Sequence, residues 1–182
     1  MAARAQFARE PGDVLVDIVW LRPREGRDEG DGKCQSPGNT LVTTLRRKIV
    51  AAARWGLANE PRIHYGEARP FPLARRLPLT TDCSGFATLC YFLAGAPDPN
   101  GLGYSGEGWT GTLLRHLART ELPRAGDLVV WGAYPGHHCA VVLEPGDDPL
   151  LCSHGRERGP LAIRFSAECR VQPPEVAWLR GV

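Results

Sequence analysis

Between Thr40 and Leu57 the apolar positions recur at helical spacing. In "TLVTTLRRKIVAAARWGL", Leu41, Leu45, Ile49, Ala52 and Ala53 fall on one face. Asn39 or Thr40 can cap the start, and Gly56 can end the helix. The same period returns after "TTDCSGFATLC" (Thr80 to Cys90), where Phe86, Leu89, Cys90 and Leu93 follow i, i+3, i+4, i+7. Asp82 is a good N-cap for this helix, and Gly95, with Pro97 beyond it, closes the other end. "TLLRHLART" predicts a third, short helix. The pattern then changes. "AGDLVVWG", "HHCAVVLEP", "PLLCSHG" and "LAIRFS" are short apolar runs separated by Gly, Pro and Asp, which predicts an antiparallel meander.

The remaining stretches are irregular, with one exception. "GDVLVDIVWLRP" (Gly12 to Pro23) is β-branched and alternating, and reads as a strand. Arg24 to Thr40 is a loop rich in glycine and charge, and Ala58 to Leu79 is a connector carrying four prolines. Pro97 to Gly111 is a long Gly-rich loop, of a kind usually functional or disordered. Helices followed by strands predict an α+β fold, its helices packed on an antiparallel sheet. We divide the chain into an N-terminal extension, 1–40, and one domain, 41–182.

Composition narrows the class. The chain has 182 residues, long enough to bury a core without covalent staples. It is 43% hydrophobic and 23% charged, with a net charge of +2 and scattered arginines, which gives no argument for a nucleic-acid partner. No apolar run reaches the roughly 20 residues of a membrane helix, and the N-terminus lacks the apolar core of a secretory signal. The six cysteines are irregularly spaced and several lie in apolar runs, as reduced, buried thiols do.

One cysteine stands apart. Cys83 is expected at the first turn of its helix, where unpaired backbone N–H groups and the helix dipole favour thiolate over thiol. The neighbouring Gly85 would allow a substrate close to the backbone. The bland alternative is a small core residue, and that reading suits Cys90 on the same face. A nucleophilic cysteine needs a base. His116 falls on a polar helix face, and His64 in the Pro-rich connector is ambiguous. His137 and His138 open one predicted strand and His154 ends the next, so hairpin pairing would make His138 and His154 neighbours. A competing arrangement uses His137 and Cys139 with Cys152 and His154 as a Cys₂His₂ zinc set, although neither spacing matches the usual structural zinc pattern. Tyr65 is a candidate hydroxyl donor to an oxyanion. Ser84 offers a backbone N–H for the same purpose. Trp109, with Tyr104 and Thr110, is a candidate for the substrate groove. Asp127 is expected to cap a turn before its strand.

"DCSGF", "RAGDLVVW", "HHCAVVLE" and "LLCSHG" together resemble the NlpC-type cysteine peptidases, a papain-like family that cleaves peptidoglycan stem peptides. The likeness covers roughly Leu41 to Ser166. It implies a nucleophile helix on an antiparallel sheet, with Cys83 as nucleophile, His138 as base, His154 as the third polar group, and Tyr65 loosely matching a tyrosine ahead of the cysteine. The stretch "YFLAGAPDPNGLGYSGEGWTGTLL" further resembles the peptidase domain of lysins from phages of actinobacteria. The usual Y-x-W-G-G run before the cysteine is absent, and residues 1–40 have no counterpart. The implied protein is a monomeric, cofactor-free cell-wall hydrolase acting on bacterial peptidoglycan. It would be made without a signal peptide and would reach the wall through a holin or a virion. Alternatives are an N-acetylmuramoyl-L-alanine amidase or an acyltransferase using the same Cys–His pair, or a non-enzymatic zinc-stabilised binding module.

Overall fold

A computed structural model describes residues 37–156 and 159–182. The strand expected at Gly12–Pro23 and the loop after it as far as residue 36, with Cys34, lie outside the described residues, and the last four residues assigned to that loop are helical. Helix α1 (Pro37–Ala58) buries Ile49, Ala52 and Ala53 and begins a turn before the expected Thr40, at a proline whose fixed φ suits a first helical turn. Leu41 departs from expectation: it is 62% exposed, and burial along α1 begins at Ile49. Gly56 does not end the helix. A Cβ there would meet the Phe86 ring at 2.4 Å, so glycine is what lets α1 close against the next helix.

That helix, α2 (Cys83–Ala94), has the predicted boundaries, with Asp82 as N-cap and Gly95 as a left-handed C-cap (φ 67°). Between α1 and α2 the Pro-rich connector contributes a short parallel pair, β1 (Ile63–Tyr65) and β2 (Leu79–Thr81). The Gly-rich loop that follows α2 is held by specific bonds. Asp98 accepts from the backbone N–H groups of Asn100, Leu102 and Tyr104 at 2.8–2.9 Å. Asn100 bridges Thr88 and Thr112 at 2.8 and 2.6 Å, and the Tyr104 hydroxyl donates to Ala96 O. Helix α3 (Thr110–His116) follows directly.

The sheet contains β3 (Ala118–Arg119), β4 (Leu128–Trp131), β5 (His138–Glu144), β6 (Leu150–Ser153), β7 (Leu161–Arg164) and β8 (Val176–Arg180), with α4 (Phe165–Glu168) between the last two. Its order is β3-β8-β4-β5-β6-β7, antiparallel throughout. The meander from β4 to β7 is as predicted. The sequence reading missed β8, which returns to fill the place beside β4. Alternation along the strands makes two faces. Leu128, Val130, Cys139, Val141, Cys152 and Leu179 face α1 and α2. Val129, Trp131, Ala140, Val142 and Leu151 form a second cluster with Phe165 and Trp178. Asp127 does hold its turn, accepting from Arg124 N at 2.8 Å, and also anchors Arg46 of α1 and the Gly181 N–H. The described chain is therefore α+β, with helices on an antiparallel sheet. No helix among the described residues is long and apolar enough to cross a membrane.

Candidate active site

The N-terminus of α2 is built around Asp82. Its extended backbone ends β2, and its Oδ1 accepts from the Gly85 N–H at 2.7 Å and from Ser84 Oγ at 2.9 Å. Its Oδ2 pairs with Arg69 at 2.5 Å, and Arg69 also donates to Ser84 Oγ. Cys83, next in the chain, therefore sits rigidly at the first helical position. There the N–H groups of Cys83 and Ser84 have no carbonyl four residues back to bond. Gly85 serves packing instead of substrate approach: a Cβ there would meet Thr81 Oγ1 at 2.1 Å and the Phe71 ring at 3.0 Å.

The two cysteines of α2 have opposite chemistry. Hydrogen bonds from Cys139 and then His138, with the charge of His138, hold the Cys83 thiol well below its usual pKa, against burial and the Asp82 carboxylate. Burial pushes Cys90 well above the usual value, followed by the nearby Cys152. Cys83 is only 8% exposed, yet it lines both clefts described below.

His138 begins β5, and its ring stacks on Trp131 with centroids 5.6 Å apart. Its Nε2 lies 2.7 Å from Ser153 Oγ and 3.3 Å from Glu168 Oε1. Ser153 Oγ donates to Glu168 Oε1, so the serine oxygen accepts from the imidazole Nε2–H. Gln172 donates to the same carboxylate oxygen at 2.9 Å. The imidazole nitrogen left outside this network is Nδ1. All three members, His138, Ser153 and Glu168, are buried.

The third group beside His138 is thus Ser153 with Glu168, where the sequence reading expected His154. The register explains the difference. Ala140 pairs with Ser153 and Val141 with Cys152, so Ser153 shares a sheet face with Ala140 and His138. His154, one residue on, points to the helix side. Its Nε2 donates to the Thr81 carbonyl at 2.8 Å and its ring lies against Tyr65 and Phe86. Burial lowers its pKa, although the Thr81 carbonyl works in the other direction. His154 thereby ties the end of β2, just before Cys83, to the segment after β6.

The other candidates divide. Tyr65 faces Cys83 across the cleft, but its hydroxyl donates to Glu67 Oε1 at 2.8 Å, and Arg156 lies over its ring. Ser84 is buried and its hydroxyl is committed to Asp82. Trp109 and Thr110 line a cleft as expected, whereas Tyr104 folds back onto Phe92, with centroids 5.2 Å apart. Two clefts of about 380 and 670 Å³ share Tyr65, Glu67, Cys83 and His137, so Cys83 lies where they join. Arg69, Glu107 and Trp109 line the first; His138, Ser153, Glu168 and Arg156 line the second.

Three of the four residues of the zinc alternative have other neighbours. Cys152 donates to Ala53 O at 3.7 Å, His154 donates to Thr81 O, and Cys139 lies buried in the core with Cys83. Among the described residues no three His, Cys, Asp or Glu side chains are grouped to hold a metal ion. Ser153, Glu168 and Arg69 were missed from sequence. Ser153 was one residue from the position chosen, and nothing local marks Glu168. No protein-family model and no curated protein matches the chain.

Proposed function

We propose that the protein is a thiol peptidase of the papain-like NlpC type that cleaves an amide bond in the peptidoglycan stem peptide, in the manner of a phage lysin. The observation that carries the chemistry is the thiolate-prone Cys83, hydrogen-bonded to a histidine whose far nitrogen is anchored by Ser153 and Glu168. The substrate class rests on the motif resemblance, and the open cleft through Cys83 suits an extended peptide.

The Cys83 sulfur attacks the amide carbonyl. The developing oxyanion accepts from the first-turn N–H groups of Cys83 and Ser84, an arrangement worth about 3 kcal/mol per donor. His138 gives a proton to the departing amine, leaving a thioester, and then takes one from water to release the acid. Ser153 and Glu168 keep the ring oriented and stabilise its protonated form, the part assigned from sequence to His154. This chemistry draws only on side chains and backbone amides of the chain. The enzyme would act on the wall as a monomer after delivery by a holin or a virion.

A turbidity assay on purified bacterial cell walls tests the reading. The wild type should clear the suspension, and Cys83→Ala should lose at least about 10³-fold in rate. New amino termini within the stem peptide identify a peptidase, and new termini on the first L-alanine identify the amidase alternative. Undiminished clearing by Cys83→Ala would overturn the proposal.

A further inference from the structure

Cys139 is the second residue of β5 and lies on the sheet face that packs against α2, in the same buried cluster as Cys83, and the two thiols influence each other's ionisation. It is 1% exposed, whereas Cys83 opens onto both clefts. The other described cysteines are engaged elsewhere: Cys152 with Ala53 O, Cys169 with Trp131 Nε1, and Cys90 within the core. Among the described residues, Cys139 is thus the thiol that lies in the core beside Cys83 and acts on its ionisation.

We propose that Cys139 is a resolving cysteine that converts oxidation of Cys83 by a peroxide into a reversible disulfide, closing the site. The proposal rests on Cys83 being the nucleophile of the reading above and does not depend on peptidoglycan being the substrate. In the first step the Cys83 thiolate attacks hydrogen peroxide. The O–O bond breaks, sulfur is oxidised by two electrons to a sulfenic acid, and hydroxide departs. In the second, the Cys139 sulfur attacks the Cys83 sulfur. The S–O bond breaks, the S–S bond forms, and the hydroxyl leaves as water with the Cys139 proton. Overall, two thiols and one peroxide give one disulfide and two waters. A dithiol reductant reverses it.

The two sulfurs have complementary roles. Cys83 has thiolate character and access, the combination that makes a cysteine oxidisable. Cys139 is sheltered and is kept protonated first by its bond to Cys83, then by burial and by the Cys83 charge. Oxidising Cys83 to the uncharged sulfenic acid removes that charge and makes Cys139 a better nucleophile at that moment. A buried resolving thiol also intercepts the sulfenic acid before a second peroxide carries it to the irreversible sulfinic acid.

The test is peptide mapping of the reduced full-length protein after brief treatment with hydrogen peroxide and alkylation of the remaining thiols, without reduction. The wild type should lose two hydrogens in mass and yield a cross-link joining the Cys83 and Cys139 peptides, which dithiothreitol removes. Cys139→Ala, with its fold checked by circular dichroism, should yield no such cross-link and should accumulate Cys83 carrying two added oxygens. Wild-type protein that accumulates sulfinic acid at Cys83 without the cross-link, or links other cysteines, would overturn the proposal even if Cys139→Ala does not fold. A protein that clears cell walls but shows no cross-link refutes this inference alone. One that forms the cross-link but clears no walls refutes only the proposed substrate.

Discussion

The two faces of the β5–β6 hairpin carry one histidine each, and they are built differently. On one face His138 stands among polar partners: Ser153 at 2.7 Å, Glu168 at 3.3 Å, and Gln172 bonded to that carboxylate. On the other, His154 lies between aromatic rings and has one carbonyl partner on its Nε2. A carboxylate beside an imidazole stabilises its charged form, whereas apolar burial disfavours it. The first environment suits a group that must gain and lose a proton in each turnover, and the second suits one that stays neutral. The single residue separating Ser153 from His154 decides which side chain can reach His138, because successive strand residues point to opposite faces.

This contrast predicts unequal losses. Glu168→Gln should lower kcat by about 10- to 100-fold, since the imidazolium loses its carboxylate while Ser153 and Gln172 remain. The same variant should pull in the alkaline limb of the kcat/KM profile, because the protonated imidazole that hands its proton to the leaving amine loses the carboxylate that stabilises it. A Glu168→Gln variant with wild-type rate and profile would remove the carboxylate from the mechanism and sink the distinction between the two faces.

The next effect falls on stability. His154→Phe keeps a ring between Tyr65 and Phe86 but gives up the hydrogen bond to Thr81, worth about 1 kcal/mol. At neutral pH we expect a slightly lower Tm with kcat reduced about threefold or less, since the residue acts only through the β2 backbone. The pH dependence has a definite sign. The folded-state pKa of His154 lies below 6.5, so above that value both states are neutral and the group contributes no pH dependence. As pH falls below 6.5 the unfolded chain binds a proton that the folded chain resists, and stability declines. Replacing His154 by Phe should flatten that part of the Tm–pH curve. A kcat loss larger than that of Glu168→Gln, with the fold intact, would restore His154 as the group that serves the base.

Local features were readable from sequence where local physics sets them. Asp82 as N-cap, Cys83 at the first turn and Gly95 at the end follow from residue type and helical period alone, and α2 has those boundaries. The four apolar runs of the meander were legible for the same reason. Register was not. It depends on how β5 and β6 align, and a bulge between Val142 and Glu144 shifts their pairing by one residue on the side away from the site. Continued toward the site, the register puts His154 across from Cys139 instead of His138. Glu168 comes from a short helix after β7 and reaches His138 only through the tertiary fold, so no spacing announces it. Gly56 and Gly85 were read as a helix stop and a substrate approach, and both make room for neighbouring side chains. The Gly-rich loop could not be read as ordered, because Asp98 and Asn100 organise it through bonds that depend on the exact turn geometry.

The smallest expected effect concerns Tyr65, which lines both clefts and lies against His154. Burial first, and then its bond to Glu67, push its pKa up to about 12, so the hydroxyl stays protonated near neutral pH. It has one proton to donate, and Glu67 takes it at 2.8 Å, with Arg156 bonded to the same carboxylate oxygen at 2.7 Å. To serve the oxyanion the hydroxyl would have to leave a charged acceptor at the moment of reaction, which offsets much of what the new bond would gain. Tyr65→Phe should therefore lower kcat by less than about fivefold, far below the 10²–10³-fold cost of removing a committed oxyanion donor. A loss of that larger size, at unchanged Tm, would mean that Glu67 and Arg156 hold the hydroxyl in readiness and that it turns to the substrate in the transition state. Glu67→Gln separates the two outcomes. Weakening the ground-state acceptor should raise kcat if Tyr65 must swing away from it, and should leave kcat near wild type if Tyr65 only lines the cleft.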